Sequence, residues 1–209
     1  MVFSTEEKLT KRWMKDKKRE HYYLKAKSEH YRSRAAYKLL QLQEKFHILS
    51  EGMSCLDLGA APGGWLQVES QIVGPRGSVC GIDLSTIRPM EGVTLLRGDV
   101  TSPETTGILL EKTGGRVDVI FSDMSPDISG NYSLDHARSV ELVRMSAKVA
   151  SSLLKKGGSL VAKLFEGDMT RQLLDELQSV FLTVRLSKPP ASRKQSSEIY
   201  VIAKGFRGS

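Results

Sequence analysis

The chain has 209 residues, of which 40% are hydrophobic and 26% are charged, and its formal net charge is +7. This length and balance predict one soluble α/β domain with a sizeable core. No run approaches the roughly 18 apolar residues that would span a membrane. The N-terminus is charged throughout, which argues against a signal peptide. We therefore expect a cytoplasmic protein.

The positive charge is concentrated at the front of the chain. Residues 1–38 carry 12 lysines and arginines against 5 acidic residues, whereas the other 171 residues carry 19 of each. Because such cations contact phosphates and aromatic rings stack on bases, the segment favours a nucleic-acid partner, with a solvated basic tail as the alternative. We assign residues 1–32 to a basic aromatic extension and residues 33–209 to a single domain. The interleaved aromatic and histidine residues are Trp13, His21, Tyr22, Tyr23, His30 and Tyr31.

Hydrophobic periodicity predicts an α/β protein. A helix should begin with Ser33 as its N-cap and continue to Phe46. From Met53 onward strands alternate with helices, which is typical of a mostly parallel sheet. The predicted strands lie near 53–58, 78–83, 93–97, 117–122, 158–164, 181–187 and 197–204, and the predicted helices near 64–73, 104–113, 133–154 and 169–179.

Neither the cysteines nor the histidines predict a metal site. Cys55 and Cys80 each lie inside an apolar strand-like run, where a buried free thiol is the expected state. The histidines show no spacing typical of metal ligands, and scattered histidines are usually structural or solvated. The four histidines are His21, His30, His47 and His136.

A glycine-rich turn joins the first predicted strand to the next helix, with the sequence D-L-G-A-A-P-G-G-W at residues 57–65. Gly59, Gly63 and Gly64 permit positive φ angles and close approach of a ligand to the backbone. The spacing matches neither the dinucleotide fingerprint nor the phosphate-binding loop. The turn instead favours a nucleoside that carries an amino acid, such as S-adenosylmethionine (SAM), whose ammonium group Asp57 could face. A purely structural turn is the alternative.

Charged residues mark the ends of the predicted strands, where ligands bind in such sheets. Asp83, followed by Leu84, is placed to accept hydrogen bonds from a ribose, and Asp99 to accept one from an adenine amino group, although strand-end aspartates are more often turn formers. Lys163 ends an apolar strand; its burial favours the neutral amine, whereas nearby carboxylates favour the ammonium, and the sequence leaves both open. Glu198 alone is typical of a surface residue.

Five motifs together resemble the FtsJ family of RNA ribose 2′-O-methyltransferases, over residues 30–204. They are the glycine turn, S-D-M-S-P, V-A-K-L-F, R-S-R-A-A-Y-K-L and S-R-x-x-S-S-E-I-Y. The resemblance implies a Rossmann-like SAM-dependent methyltransferase fold: a seven-stranded, mostly parallel sheet with an antiparallel last strand and helices on both faces. It implies a catalytic tetrad of Lys38, Asp123, Lys163 and Glu198. The implied cofactor positions are Gly63, Trp65, Asp83, Asp99 and Asp123, with Gly59 and Leu84 as neighbours.

The resemblance also implies the substrate. We expect it to be the ribose of one nucleotide, a uridine, in large-subunit ribosomal RNA. A 2′-hydroxyl is a poor nucleophile, so we expect Lys163 to take its proton, Asp123 to orient Lys163, and the other two tetrad residues to position the ribose or its phosphate. We expect a monomer that needs no metal and no membrane. Two alternatives remain: a transfer RNA ribose methyltransferase, and a non-catalytic RNA-binding factor for ribosome assembly.

Other methyl acceptors fit the sequence less well. Enzymes that methylate exocyclic base amines carry an aromatic residue after strand four, whereas here Asp123 is followed by Met-Ser-Pro. Base-carbon methylation requires a cysteine at the active face, and both cysteines fall within strands. A hydroxyl acceptor is therefore favoured.

Overall fold

The computed structural model describes residues 22, 24–193 and 195–208. Of the aromatic and histidine residues in the predicted extension, Trp13, His21 and Tyr23 lie outside these described residues. The tyrosines that are described pack on the domain: the rings of Tyr22 and Tyr31 lie 5.3 and 5.6 Å from the ring of Tyr37. This part of the extension is therefore attached to the domain through an aromatic cluster.

Seven strands form one sheet in the order β3-β2-β1-β4-β5-β7-β6. Strands β1 to β5 pair in parallel, whereas β7 runs antiparallel to both β5 and β6. The predicted seven-stranded sheet with an antiparallel last strand is confirmed. The strands are β1 (Ser54–Leu58), β2 (Ser78–Asp83), β3 (Val93–Arg97), β4 (Val117–Ser122), β5 (Leu154–Phe165), β6 (Phe181–Ser187) and β7 (Glu198–Phe206).

Helices cover both faces of the sheet, as predicted, and each face has its own hydrophobic core. Successive strand residues point to opposite faces, so Leu56 packs into one core and Cys55 into the other. Helices α3, α4 and α5 cover the first core, and α1 and α2 cover the second. The helices are α1 (Ala36–Phe46), α2 (Gly64–Val73), α3 (Pro103–Lys112), α4 (Tyr132–Leu153) and α5 (Thr170–Val180).

Two element boundaries differ from prediction. Helix α1 begins at Ala36, because the backbone carbonyl of Ser33, rather than its hydroxyl, accepts the hydrogen bond from the Ala36 N–H at 3.3 Å. The predicted Ser33 cap is therefore wrong. Strand β5 begins at Leu154 rather than near residue 158, since α4 passes into β5 without a loop and Leu154 pairs with Val117 of β4. Both cysteines are free and buried, as predicted.

Within the described part of the chain, no helix combines the length and the apolar character needed to cross a membrane.

Candidate active site

The four predicted tetrad residues come from four different elements and meet at one edge of the sheet. Lys38 lies on α1, Asp123 follows β4, Lys163 lies near the end of β5, and Glu198 begins β7. The antiparallel register of β5 and β7 pairs Lys163 with Tyr200. Because β7 runs against its neighbour, its first residues lie beside the last residues of β5.

Each lysine of the tetrad is paired with a carboxylate. The distance from Lys38 Nζ to Glu198 Oε1 is 2.8 Å, and that from Lys163 Nζ to Asp123 Oδ1 is 3.0 Å. Lys163 also donates to the backbone carbonyl of Asp123 at 2.5 Å. The lysine side chains are only 11% and 9% exposed, so their amino groups are held in place rather than moving freely in solvent.

Tyr200 joins the two ion pairs. Its hydroxyl donates to Asp123 Oδ1 at 2.7 Å and accepts from Lys38 Nζ at 3.2 Å. Burial, together with the nearby carboxylates of Asp123 and Glu198, raises the pKa of Tyr200 well above its ordinary value. The phenol therefore stays protonated and can serve as a fixed donor. Sequence reasoning missed Tyr200, although its position two residues after Glu198 places it on the same face of β7.

A second residue that sequence reasoning missed fixes the Glu198 carboxylate. Ser192, which is buried in the β6–β7 connection, donates from its hydroxyl to Glu198 Oε1 at 2.8 Å. The same oxygen is bound by Lys38. Glu198 is therefore oriented from two sides. The pattern of the surrounding sequence alone is typical of a surface residue and does not reveal these two partners.

The glycine turn lies at the carboxyl end of β1 and is closely packed. Gly59 and Gly63 have φ angles of +74° and +102°. A Cβ atom at Gly59 would lie 2.4 Å from Met124 Cγ, and one at Gly64 would lie 2.2 Å from Ser33 Oγ. The turn therefore requires glycine both for its backbone angles and for the close approach of the segments before α1 and after β4.

Asp57, at the foot of this turn, is buried, with Oδ1 unpaired among the described residues. Burial first, and then the nearby Glu69, Asp123 and Asp83 carboxylates, raise the pKa of Asp57 well above its ordinary value. Glu69 on α2 is fully buried as well, and burial raises its pKa from 4.5 to about 8. No sequence pattern distinguishes Glu69, because it lies within an amphipathic helix.

Asp83 connects the glycine turn to the loop that follows β2. Its carboxylate accepts from the Ala61 N–H at 3.0 Å and from the Ser85 N–H at 2.7 Å. Leu84, which directly follows Asp83 in the chain, is 67% exposed. The structure therefore brings this predicted ribose-binding aspartate and an exposed apolar side chain to the same end of the sheet as the turn.

Two of the predicted cofactor residues have a mainly structural environment. Asp99 is exposed, and its Oδ1 accepts hydrogen bonds from the Thr101 N–H and hydroxyl, which hold the pKa of Asp99 below its ordinary value. Trp65 is buried, its indole N–H donates to the Ala35 carbonyl at 2.8 Å, and its ring lies 5.6 Å from that of Tyr200. The Trp65 ring therefore belongs to the core on this face of the sheet.

Arg32 ties the segment before α1 to the turn and to the loop after β2. Its guanidinium donates to the carbonyls of Arg88 and Pro89, each at 2.7 Å, and reaches the Pro62 carbonyl at 3.5 Å. Its backbone N–H donates to Gln67 of α2 at 2.6 Å. Arg32 thus links the glycine turn to the loop after β2, a role that sequence reasoning missed.

Among the described residues, no group of three or more histidine, cysteine and acidic side chains could hold a metal ion.

The sequence profile of the FtsJ-like methyltransferase family matches residues 31–206. The ribosomal RNA large subunit methyltransferase E of Methanothrix thermoacetophila is 49% identical over 186 residues, covering 89% of this chain and 72% of that protein. The protein of the same name from Methanothermobacter thermautotrophicus is 44% identical, and the match covers 95% of each chain.

A structural comparison agrees with these sequence matches. The crystal structure of a ribosomal RNA methyltransferase from Plasmodium falciparum superposes with a TM-score of 0.76 at 30% identity, covering 86% of this chain and 100% of that one. The match to the family includes the glycine turn and all four elements that carry the paired lysines and carboxylates. This chain belongs to the FtsJ-like methyltransferase family.

Proposed function

We propose that this chain transfers a methyl group from SAM to the 2′-oxygen of one ribose in large-subunit ribosomal RNA. The observation that carries the proposal is the buried network in which Tyr200 joins the Lys38–Glu198 and Lys163–Asp123 pairs. Such a network suits a hydroxyl acceptor, which needs its proton removed and its oxygen held in place. The names of the archaeal relatives support ribosomal RNA as the substrate.

The residues around the glycine turn fit SAM. Asp57 Oδ1 is buried and unpaired among the described residues, so it has capacity to accept a hydrogen bond from an ammonium group, directly or through water. Asp83 and the exposed Leu84 stand next to the turn and would hold the ribose and the base. Gly59, Gly63 and Asp99 complete the proposed cofactor site. When bound, SAM supplies a methyl group on a positively charged sulfur that departs as a neutral thioether.

On the acceptor side, the chain's own residues would orient the ribose and move its proton. Lys163 Nζ accepts the proton of the 2′-hydroxyl, a step that requires its neutral amine. Asp123 holds that nitrogen through both its carboxylate and its backbone carbonyl. Lys38 and Glu198 position the ribose or its phosphate, with Ser192 keeping the carboxylate in one orientation.

The basic extension, residues 1–32, would add sequence-independent contacts with RNA phosphates. Its interaction with the domain through Tyr22, Tyr31 and Arg32 places the beginning of α1, and hence Lys38, at the end of this basic segment. RNA bound by the described residues of the extension would therefore lie near the beginning of α1, which carries Lys38.

The function is tested by methyl transfer from labelled SAM to three RNA pools: large ribosomal subunits that lack 2′-O-methylation, naked large-subunit RNA, and transfer RNA. The methylated position is then mapped as a phosphodiester resistant to alkali. We expect label at a single ribose of the ribosomal pools. Label only in transfer RNA would show that transfer RNA, and not ribosomal RNA, is the substrate. SAM binding without label in any pool would contradict catalysis on these RNAs.

A further inference from the structure

An exposed apolar surface borders the acceptor side of the site. We call residues 128–134, between the Asp123 segment and the first turn of α4, the acceptor lip. Three of its large side chains are exposed, namely Ile128 at 65%, Tyr132 at 59% and Leu134 at 41%. Tyrosine is enriched at binding interfaces, because its ring offers a large apolar face together with a polar tip.

The lip is held in a fixed shape by its own hydrogen bonds. The Asp135 carboxylate accepts from the Ser129 N–H and hydroxyl, at 2.9 and 2.7 Å, and from the Gly130 N–H at 3.2 Å. The Asn131 side chain caps α4 by accepting from the Leu134 N–H. The exposed side chains are therefore presented by an ordered segment, and a partner would lose little by ordering them.

Tyr132 is fixed at both ends while its ring stays exposed. Its backbone begins α4, and its hydroxyl donates to the backbone carbonyl of Glu166. Glu166 directly follows β5, and its N–H donates to the Ser197 carbonyl at 2.9 Å, one residue before Glu198. The Tyr132 ring therefore stands next to the strand ends that carry Lys163 and Glu198.

We propose that Tyr132 stacks on an unpaired nucleobase of the RNA adjacent to the ribose that is methylated. This proposal rests on the proposed function. Sequence-specific proteins commonly recognise RNA by stacking splayed bases on aromatic side chains, and every base has a face that such a ring can cover. Ile128, four residues earlier in the chain, is a further exposed apolar side chain of the lip.

Three variants separate stacking from the other roles that Tyr132 could have. Tyr132→Phe keeps the ring and removes the hydroxyl tether, Tyr132→Leu keeps an apolar side chain without a π face, and Tyr132→Ala removes both. The KM for unmodified large-subunit RNA is measured at saturating SAM, and the Kd for the same RNA by filter binding. Leu182→Ala, at a 64% exposed position on the edge strand β6, is the control.

We expect Tyr132→Phe to remain within about twofold of the parent chain, and Tyr132→Leu and Tyr132→Ala to raise KM and Kd about tenfold. The Kd for SAM should stay unchanged in all variants. The tenfold ratio should persist between two salt concentrations, because stacking releases no counterions. If Tyr132→Phe loses as much RNA affinity as Tyr132→Ala, the role of Tyr132 is to hold the β5–α5 connection through its hydroxyl. That result would overturn the proposal.

The other outcomes also decide the question. Full RNA affinity in Tyr132→Leu would show that Tyr132 makes a general apolar contact and does not stack. Full RNA affinity in Tyr132→Ala would show that Tyr132 does not contact the RNA. Because the filter-binding series does not depend on turnover, absence of methyl transfer by the parent chain would overturn the proposed function while the variants still test stacking.

Discussion

The proposed cofactor side and the proposed acceptor side of the site are built in different ways. On the cofactor side, Asp83 and Asp99 bind backbone N–H groups of residues close by in the chain or across one strand. On the acceptor side, side chains bind one another over long separations, and the hydrogen bond from Lys38 to Tyr200 spans 162 residues of sequence. The first side is therefore shaped by local turns, whereas the second exists only when the whole sheet has assembled.

The largest effect should come from removing Lys163, which breaks the acceptor side and leaves the glycine turn intact. If Lys163 takes the 2′-proton, Lys163→Ala should lower kcat by about 10²- to 10⁴-fold. The Kd for SAM, measured by calorimetry, should change less than about twofold, because Lys163 contacts Asp123 and not the glycine turn or Asp83.

Lys155 provides a matched control for this variant. It lies on the same strand, β5, but at the other end of that strand, where it pairs with Asp118 of β4 at 2.9 Å. Lys155→Ala should leave kcat unchanged and lower the free energy of unfolding by at most about 1 kcal/mol, as is usual for exposed ion pairs. Near-normal turnover by Lys163→Ala would contradict its role as the base.

The next largest effect should come from Gly59→Ala, which disturbs the glycine turn. The added methyl group meets Met124 Cγ at 2.4 Å and Met124 Cα at 3.3 Å, on a backbone with φ of +74°. We expect the Kd for SAM to rise at least about tenfold, which corresponds to about 1.4 kcal/mol. Gly92→Ala is the control, because Gly92 has a similar φ of +71° but open space around it. Equal effects of the two substitutions would attribute the loss to backbone strain alone.

The same contrast explains what the sequence could predict. The strand–turn–helix pattern around Gly59 is local, so the sheet, its strand ends and Asp83 could be read from composition and spacing. Trp65 was predicted as a cofactor residue from its motif. The packing of its ring against Tyr200 could not be predicted, because it depends on how α1 and α2 pack together. Lys38 and Glu198 entered only through the family resemblance, since no local pattern joins residues so far apart in the chain.

Arg32 tests whether the two sides are linked through the segment before α1. Arg32→Ala removes the donors to the Arg88 and Pro89 carbonyls, so the loop after β2 should loosen and the KM for SAM should rise about five- to tenfold. Arg32→Lys should be intermediate, because one ammonium cannot reproduce the planar fork of a guanidinium. If the Kd for RNA rises while the KM for SAM is unchanged, Arg32 contacts RNA and does not hold the loop.

The smallest effect on turnover should come from Glu69→Gln, which should instead change the pH dependence of stability. Burial raises the pKa of Glu69 from 4.5 to about 8, so the folded state favours the protonated acid. This contribution is fully present below about pH 4.5 and is lost as the pH rises toward 8, because the unfolded chain ionises first.

Glu69→Gln keeps the shape of the side chain and removes the ionisation. We therefore expect its free energy of unfolding at pH 8 to exceed that of the parent chain by about 1–3 kcal/mol, and the difference to vanish near pH 4.5. Urea unfolding at a series of pH values measures this, with the exposed Glu91→Gln as control. Asp57 shifts in the same direction, so the pH dependence should become shallower without disappearing. A difference that stayed constant across the series would mean that Glu69 does not keep its proton in the folded protein, and that α2 tolerates a buried charge.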